Sequence, residues 1–180
     1  MEPVEQTAAG VWVPTFPSFT AENKLRHIEG QYRGICTSCP DGKITRGATK
    51  HVAKMAGIPD DQWDKSLFDV LNFTGSSKGF LHPVLRDSSL YQLELLASVH
   101  NLETYILIDH EKCAAYREEL SVSPFRDNEA MFHQHRLQEA YWIIKGRLPE
   151  LKIILVYLSY VGNDLMFSEV PPPALIQFST

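Results

Sequence analysis

Strand-like runs alternate with helical stretches along this chain, and that alternation predicts an α/β fold. The expected architecture is a mostly parallel central sheet covered by helices on both faces and joined by right-handed crossovers. Two runs carry the expectation. Thr104 to Asp109 (Thr-Tyr-Ile-Leu-Ile-Asp) is short and almost continuously apolar, as a strand buried on both faces must be. Lys152 to Tyr160 is β-branched and aromatic, a composition that suits a pleated, packed surface.

The elements follow in order. Met1 to about Thr20 is rich in Pro, Gly and Thr with scattered aromatics, and reads as an extended arm. Its Val11, Trp12, Val13 and Phe16 are too apolar to stay wet, so the arm is expected to lie on the body or on a partner subunit. Ala21 to Gln31 reads as a helix with Thr20 at its N-cap, and Tyr32 to Ser38 as the first strand. Thr45 to Gly57 is helical in pattern and stopped by Gly57 and Pro59. Leu67 to Phe73 reads as a second strand, followed by a flexible loop, Thr74 to Gly79, that is a candidate wall of an active site. Asp87 or Ser88 caps a helix running to Asn101, with Leu90, Leu93, Leu96 and Ala97 on one face. The apolar strand Thr104 to Asp109 comes next, then a short helix through Tyr116 and Leu120 and a loop around Pro124. Asn128 to Leu148 is the longest helical stretch, with Met131, Leu137, Ala140, Tyr141 and Ile144 as core candidates and Pro149 as its stop. Lys152 to Tyr160 is a strand, Gly162-Asn163-Asp164 a turn, and Leu165 to Val170 a last strand before Pro171-Pro172-Pro173.

A chain of 180 residues suits one domain of this kind over 21–180, preceded by the arm at 1–20. With 44% hydrophobic and 22% charged residues the composition is that of an ordinary soluble protein. A formal charge of -5, with no stripe of Lys and Arg, argues against a nucleic-acid partner. No stretch approaches the roughly 18 apolar residues that span a bilayer, and the first residues lack a signal-peptide pattern. The expected setting is therefore cytoplasmic and away from membranes. An odd count of three cysteines fits poorly with a disulfide framework and better with metal-binding, catalytic or buried thiols.

Two of those cysteines stand beside other ligand-type residues. Cys39-Pro40-Asp41 directly follows one strand-like run, and His110-Glu111-Lys112-Cys113 directly follows another. Zinc favours thiolate and imidazole ligands, and a catalytic zinc keeps three protein ligands with one position open to water. His110 and Cys113 are three apart and share a face if the chain turns helical there. Cys39 has to reach them from a neighbouring strand end, where ligand sites gather in open α/β sheets. Cys36 forms a redox-type Cys-x-x-Cys pair with Cys39. Residues three apart in a strand face opposite ways, so Cys36 is expected in the core. Singly, each of these residues is as ordinary as a buried small side chain, a structural histidine or, for Asp41, a turn residue or helix cap. His133 and His135, two apart on a helix and unable to chelate one ion together, are expected at the surface, as are His51, His82 and His100.

A Cys-x-Asp-x-Arg segment after a first strand, followed tens of residues later by His-x-x-Cys after another, is the zinc signature of the β-class carbonic anhydrases. This chain resembles it over about 33–161, reading Cys39-Pro40-Asp41-Gly42-Lys43 and then His110-Glu111-Lys112-Cys113. Two positions depart from the pattern. Lys43 stands where the family has an arginine, and a lysine cannot reproduce the planar two-pronged hydrogen bonding of a guanidinium. Arg46 is near enough in sequence to stand in for it. Ala114 and Ala115 follow the second motif, where the family usually has glycine.

The resemblance implies a zinc ion on Cys39, His110 and Cys113, and reversible hydration of carbon dioxide to bicarbonate by metal-activated hydroxide. Asp41 would orient that hydroxide or, in a resting state, take its place, with Lys43 or Arg46 as its partner. It also implies a homodimer or larger homo-oligomer, a role the apolar arm suits. Carbonyl sulfide or carbon disulfide as substrate, and a metal-keeping but inactive binding or assembly protein, are the alternatives that the residues leave open.

Overall fold

A computed structural model describes residues 34–55, 68–100 and 104–174. The expected arm, the helix at 21–31 and the first residues of the strand expected from Tyr32 lie outside them. The chain runs β1 (Gly34–Ser38), α1 (Gly42–Met55), β2 (Phe68–Asn72), α2 (Lys78–Leu81), α3 (Arg86–His100), β3 (Thr104–His110), a 3-10 turn (Ala114–Tyr116), α4 (Arg117–Val122), α5 (Glu129–Arg147), β4 (Lys152–Val161) and β5 (Asp164–Val170). The strands form one five-stranded sheet in the order β2-β1-β3-β4-β5. All neighbours are parallel except β4 and β5, which form an antiparallel hairpin through Gly162 at φ 62. The α/β class is as the sequence predicts.

Alternation along the inner strands feeds two cores, one on each face. Tyr105 and Leu107 of β3 and Leu155 and Tyr157 of β4 join Leu93 of α3 and Leu137, Ala140 and Ile144 of α5. Their neighbours Ile106, Ile108, Val156 and Leu158 point the other way and join Ile44, Ala48 and Val52 of α1. That is why β3 reads as a continuous apolar run: both of its faces are covered. Burying each such Leu, Ile or Val side chain contributes about 1.5–3 kcal/mol, so the central strands are the most strongly held part of the fold.

Several local expectations shift. α1 begins at Gly42 rather than Thr45, because Asp41 caps it: Asp41 Oδ1 accepts from the amides of Lys43 at 2.9 Å and Ile44 at 3.3 Å. The segment expected as a flexible loop is instead tight and largely buried at Gly75, Ser76 and Ser77. Its Lys78–Leu81 stretch is α2.

Met131, expected in the core, is 50% exposed, whereas His133, expected at the surface, is fully buried. The buried stripe of α5 runs through positions 133, 137, 140 and 144, and a histidine occupies the place a periodicity reading reserves for an apolar residue. His100 is a second correction. Its side chain is nearly enclosed, with Nε2 2.9 Å from Asp69 Oδ2. His51 is half-buried and stacks on Phe167 with ring centroids 3.9 Å apart. His82 and His135 are exposed, as expected.

Leu107→Ala, which empties a fully buried position between β3 and the α3–α5 layer, is expected to lower unfolding free energy by about 2–5 kcal/mol. Val84→Ala, at a position 80% exposed, should stay within about 0.5 kcal/mol of the parent. Equal denaturation midpoints for the two variants would contradict this assignment of the core.

Candidate metal centre

Strand order puts a site at one particular place. From β1 the chain moves outward to β2, then crosses back over β1 to β3, so direction reverses between β1 and β3. In open α/β sheets the crevice beyond the carboxyl ends at such a reversal is where ligands bind, because the two flanking connections diverge there. Cys39 lies one residue past β1, and His110 is the last residue of β3. Cys113 follows in the turn that leads into the 3-10 segment.

One ligand-type atom from each of Cys39, His110 and Cys113 lies within 4.8 Å of the others, and all three residues are buried. Tetrahedral zinc, with bonds of about 2.3 Å to sulfur and about 2.0–2.1 Å to nitrogen, puts its ligand atoms roughly 3.5–3.8 Å apart, inside that limit. His110 Nδ1 is 2.9 Å from the Glu111 carbonyl oxygen, which can only accept. A hydrogen therefore sits on Nδ1, which leaves Nε2 as the ring atom that could bind a metal. That Nε2 is buried with no hydrogen-bond partner. A buried imidazole nitrogen without a hydrogen-bond partner, on a ring grouped with two sulfurs, is what a metal would satisfy, and two thiolates would neutralise a divalent charge. The donor set fits zinc.

The thiols are not equivalent. Cys39 is held well below the ordinary thiol range, chiefly by a hydrogen bond from the Cys113 thiol. Burial opposes this, while the His110 ring and the backbone amides of Gly75 and Asp41 assist it. Cys113 keeps its proton because it sits against the Cys39 sulfur in a buried place. Burial would lower His110, but Cys39 and the Glu111 carbonyl outweigh it and raise its pKa. Cys36, fully buried, is pushed up to about 12 by burial and by Asp69. It is a core residue, as the strand geometry requires.

Beneath the three ligand-type residues lies a buried polar network that the sequence reading did not pick out. Asp109, 1% exposed, accepts from the Ser77 amide at 3.0 Å, the Ser77 hydroxyl at 2.6 Å and His133 Nδ1 at 3.2 Å. Ser77 Oγ also lies 2.7 Å from the Tyr116 hydroxyl. The loop expected as an active-site wall is thus tied to the end of β3. Gly75 explains part of the fit: its φ of 78 is in the left-handed region, and a Cβ there would meet the Ala115 Cβ at 3.0 Å. Beyond Cys113, Lys78 Nζ bonds the Ala115 carbonyl and Glu119, each at 2.6 Å, and Arg136 also pairs with Glu119. The signal for Asp109 was available in sequence, as a carboxylate ending an otherwise apolar run.

The predicted accessory residues do not assemble into a pair. Asp41 is exposed, and among the described residues it forms no ion pair. Lys43 Nζ lies over the Tyr160 ring, 4.9 Å from its centroid. Arg46 faces a groove of about 540 Å³ with Lys50, Lys54 and the Asn163–Asp164 turn.

No protein-family profile matches the chain. An uncharacterised protein of Rickettsia bellii is 26% identical over 145 residues, covering 76% of this chain and 80% of its own length. One from Rickettsia conorii is 25% identical over 149 residues, covering 76% of this chain and 73% of its own length. Among solved structures, the β-carbonic anhydrase CafA of Aspergillus fumigatus aligns at a TM-score of 0.45 with 9% identity, over 79% of this chain and 78% of that one. The chemistry is therefore read from the side chains. They define a mostly parallel α/β protein with a Cys-His-Cys group able to hold a metal ion. Among the described residues no helix is long and apolar enough to cross a membrane.

In metal-free protein, ultraviolet titration is expected to show about one thiolate per chain persisting down to about pH 5, because Cys39 titrates near 4 and stays ionised above that value. The signal should vanish in Cys39→Ser. A first thiolate appearing only near the ordinary thiol pKa of about 8.5 would overturn this.

Proposed function

We propose that this chain is a zinc enzyme of the carbonic anhydrase type that converts carbon dioxide and water to bicarbonate and a proton. The observation that carries the reading is the convergence of Cys39, His110 and Cys113, with His110 Nε2 buried and unsatisfied. The substrate comes from the motif resemblance in the Cys39–Lys43 and His110–Cys113 segments. Bound zinc would supply a Lewis acid that lowers the pKa of water from 15.7 toward roughly 7. Two thiolate donors reduce its electrophilicity relative to three histidines, so activity is expected to rise with pH.

The remaining work belongs to the protein. Cys39, His110 and Cys113 would hold the ion, and the Glu111 carbonyl keeps a proton on His110 Nδ1 so that Nε2 can offer a lone pair. The Gly75 and Asp41 amides stabilise the Cys39 thiolate before metal arrives. Asp41 spends Oδ1 on the α1 cap, and its Oδ2, for which no hydrogen bond is seen among the described residues, is the group available to orient an incoming water. With three protein ligands, a zinc ion held here would keep one position for water.

A second reading, a metal-holding protein without hydratase activity, is favoured by a separate observation. Lys43 is engaged with Tyr160 and Arg46 points into the cationic groove, so neither side chain fixes Asp41.

Metal analysis and stopped-flow carbon dioxide hydration on the same samples separate these readings. The parent is expected to carry about one zinc per chain and to hydrate carbon dioxide. Cys39→Ser and His110→Ala should lose both. Zinc without hydration that Lys43→Arg restores would locate the defect at the Asp41 partner. Unchanged zinc stoichiometry in His110→Ala would refute the ligand assignment.

A further inference from the structure

Between His110 and Cys113 the chain makes a turn that its residues do not favour. Lys112 sits at φ 60, in the left-handed region that side chains other than glycine adopt only when their surroundings hold them there. The holding group is visible. The Lys112 amide donates to Glu129 Oε1 at 2.7 Å, and Glu129 is the first residue of α5.

Glu129 is well placed for this. α5 is 19 residues long, capped by Asn128 through the Met131 amide and pinned to the core by Phe132, His133, Leu137, Ala140 and Ile144. One turn along the same helix, His133 grips Asp109, the residue before His110. Its Nε2, fully buried and without a hydrogen-bond partner, lies 3.6 Å from the same Glu129 oxygen. α5 therefore holds the ligand turn at both ends, at Asp109 through His133 and at Lys112 through Glu129. β4 holds the middle: the Glu111 amide donates to the Leu158 carbonyl, and Glu111 Oε2 accepts from the Tyr160 amide, each at 2.8 Å.

We propose that Glu129 is a positioning residue of the metal centre, acting as a latch that fixes Lys112 in its left-handed conformation and so sets the distance between His110 and Cys113. It does not touch the ion. Its service is to accept one backbone hydrogen bond, which makes the oxygen atom, not the negative charge, the essential feature. The inference rests on the metal reading of Cys39, His110 and Cys113 and adds to it the residue that pre-forms the chelate.

The test is zinc affinity by chelator competition, with the thiolate-to-cobalt absorption of Co2+-loaded protein as a second readout, on four full-length chains. Glu129→Ala is expected to weaken zinc binding by about 10- to 100-fold, the range for residues that orient ligands, and to change the cobalt band. Glu129→Gln, whose amide oxygen still accepts from Lys112, should stay close to the parent. Adding Lys112→Gly to Glu129→Ala should recover most of the loss, because glycine adopts φ 60 unaided. A merely structural role for Glu129 predicts no such rescue. Parent-like zinc affinity in Glu129→Ala, failure of Lys112→Gly to rescue it, or a Glu129→Gln loss as large as that of alanine would each overturn the latch while leaving the metal reading intact. A parent that takes up no zinc would sink both.

Discussion

The buried carboxylate of Asp109 is the constraint around which this molecule is arranged. A charge with 1% exposure is tolerable only with donors on several sides, and removing one partner of such a group costs several times what an exposed pair contributes. Three donors meet it: the Ser77 amide, the Ser77 hydroxyl and His133 Nδ1. They come from the loop after β2 and from the middle of the first turns of α5, elements far apart in sequence. Satisfying Asp109 therefore fixes where that loop and that helix sit against the end of β3. The next residue is His110, so the same hydrogen bonds that make the carboxylate tolerable also set the starting point of the ligand turn.

Topology then decides what can meet His110. Because the chain reverses between β1 and β3, the ends of these two strands open into one crevice with no crossover running between them. Cys39 enters from β1 and is held there through its own backbone, with the Thr45 hydroxyl 3.0 Å from its carbonyl oxygen. A low pKa at Cys39 and a raised one at Cys113 describe two thiols sharing one proton in the metal-free state. A divalent ion bound there would replace that proton and neutralise both sulfurs. The left-handed conformations of Ser76 and Lys112 store local strain beside the site.

The strands, the long helix and the three ligand-type residues could be read from sequence because each rests on a local pattern: apolar runs, 3.6-residue periodicity, and Cys and His at strand ends. What could not be read was the polar interior. His133 occupies a core position of α5, and its partner Asp109 is 24 residues away in the chain. No periodicity links them. Met131 misled for the complementary reason, since its apolar side chain lies one position off the buried stripe. His100 likewise depends on Asp69 across the fold. The Thr74–Gly79 segment looked like a loop because Gly and Ser dominate it. Its order comes from tertiary hydrogen bonds to Asp109 and Thr37, which composition does not register.

On the proposed function, Asp41 is a motif residue whose support has changed. In the family pattern a guanidinium fork holds the carboxylate, and neither Lys43 nor Arg46 does so here. The start of α1 offers a substitute. Its free amides at Lys43 and Ile44 both donate to Oδ1. Two N–H donors converging on one carboxylate oxygen orient the group much as an arginine would, leaving the other oxygen to face outward. Position 43 would then be free to vary, because its backbone rather than its side chain makes the contact. On the proposed function, the departure at Lys43 moves the support of Asp41 from a side chain to the backbone of α1, and catalytic competence turns on whether that cap holds the carboxylate toward the metal as firmly as it holds the helix.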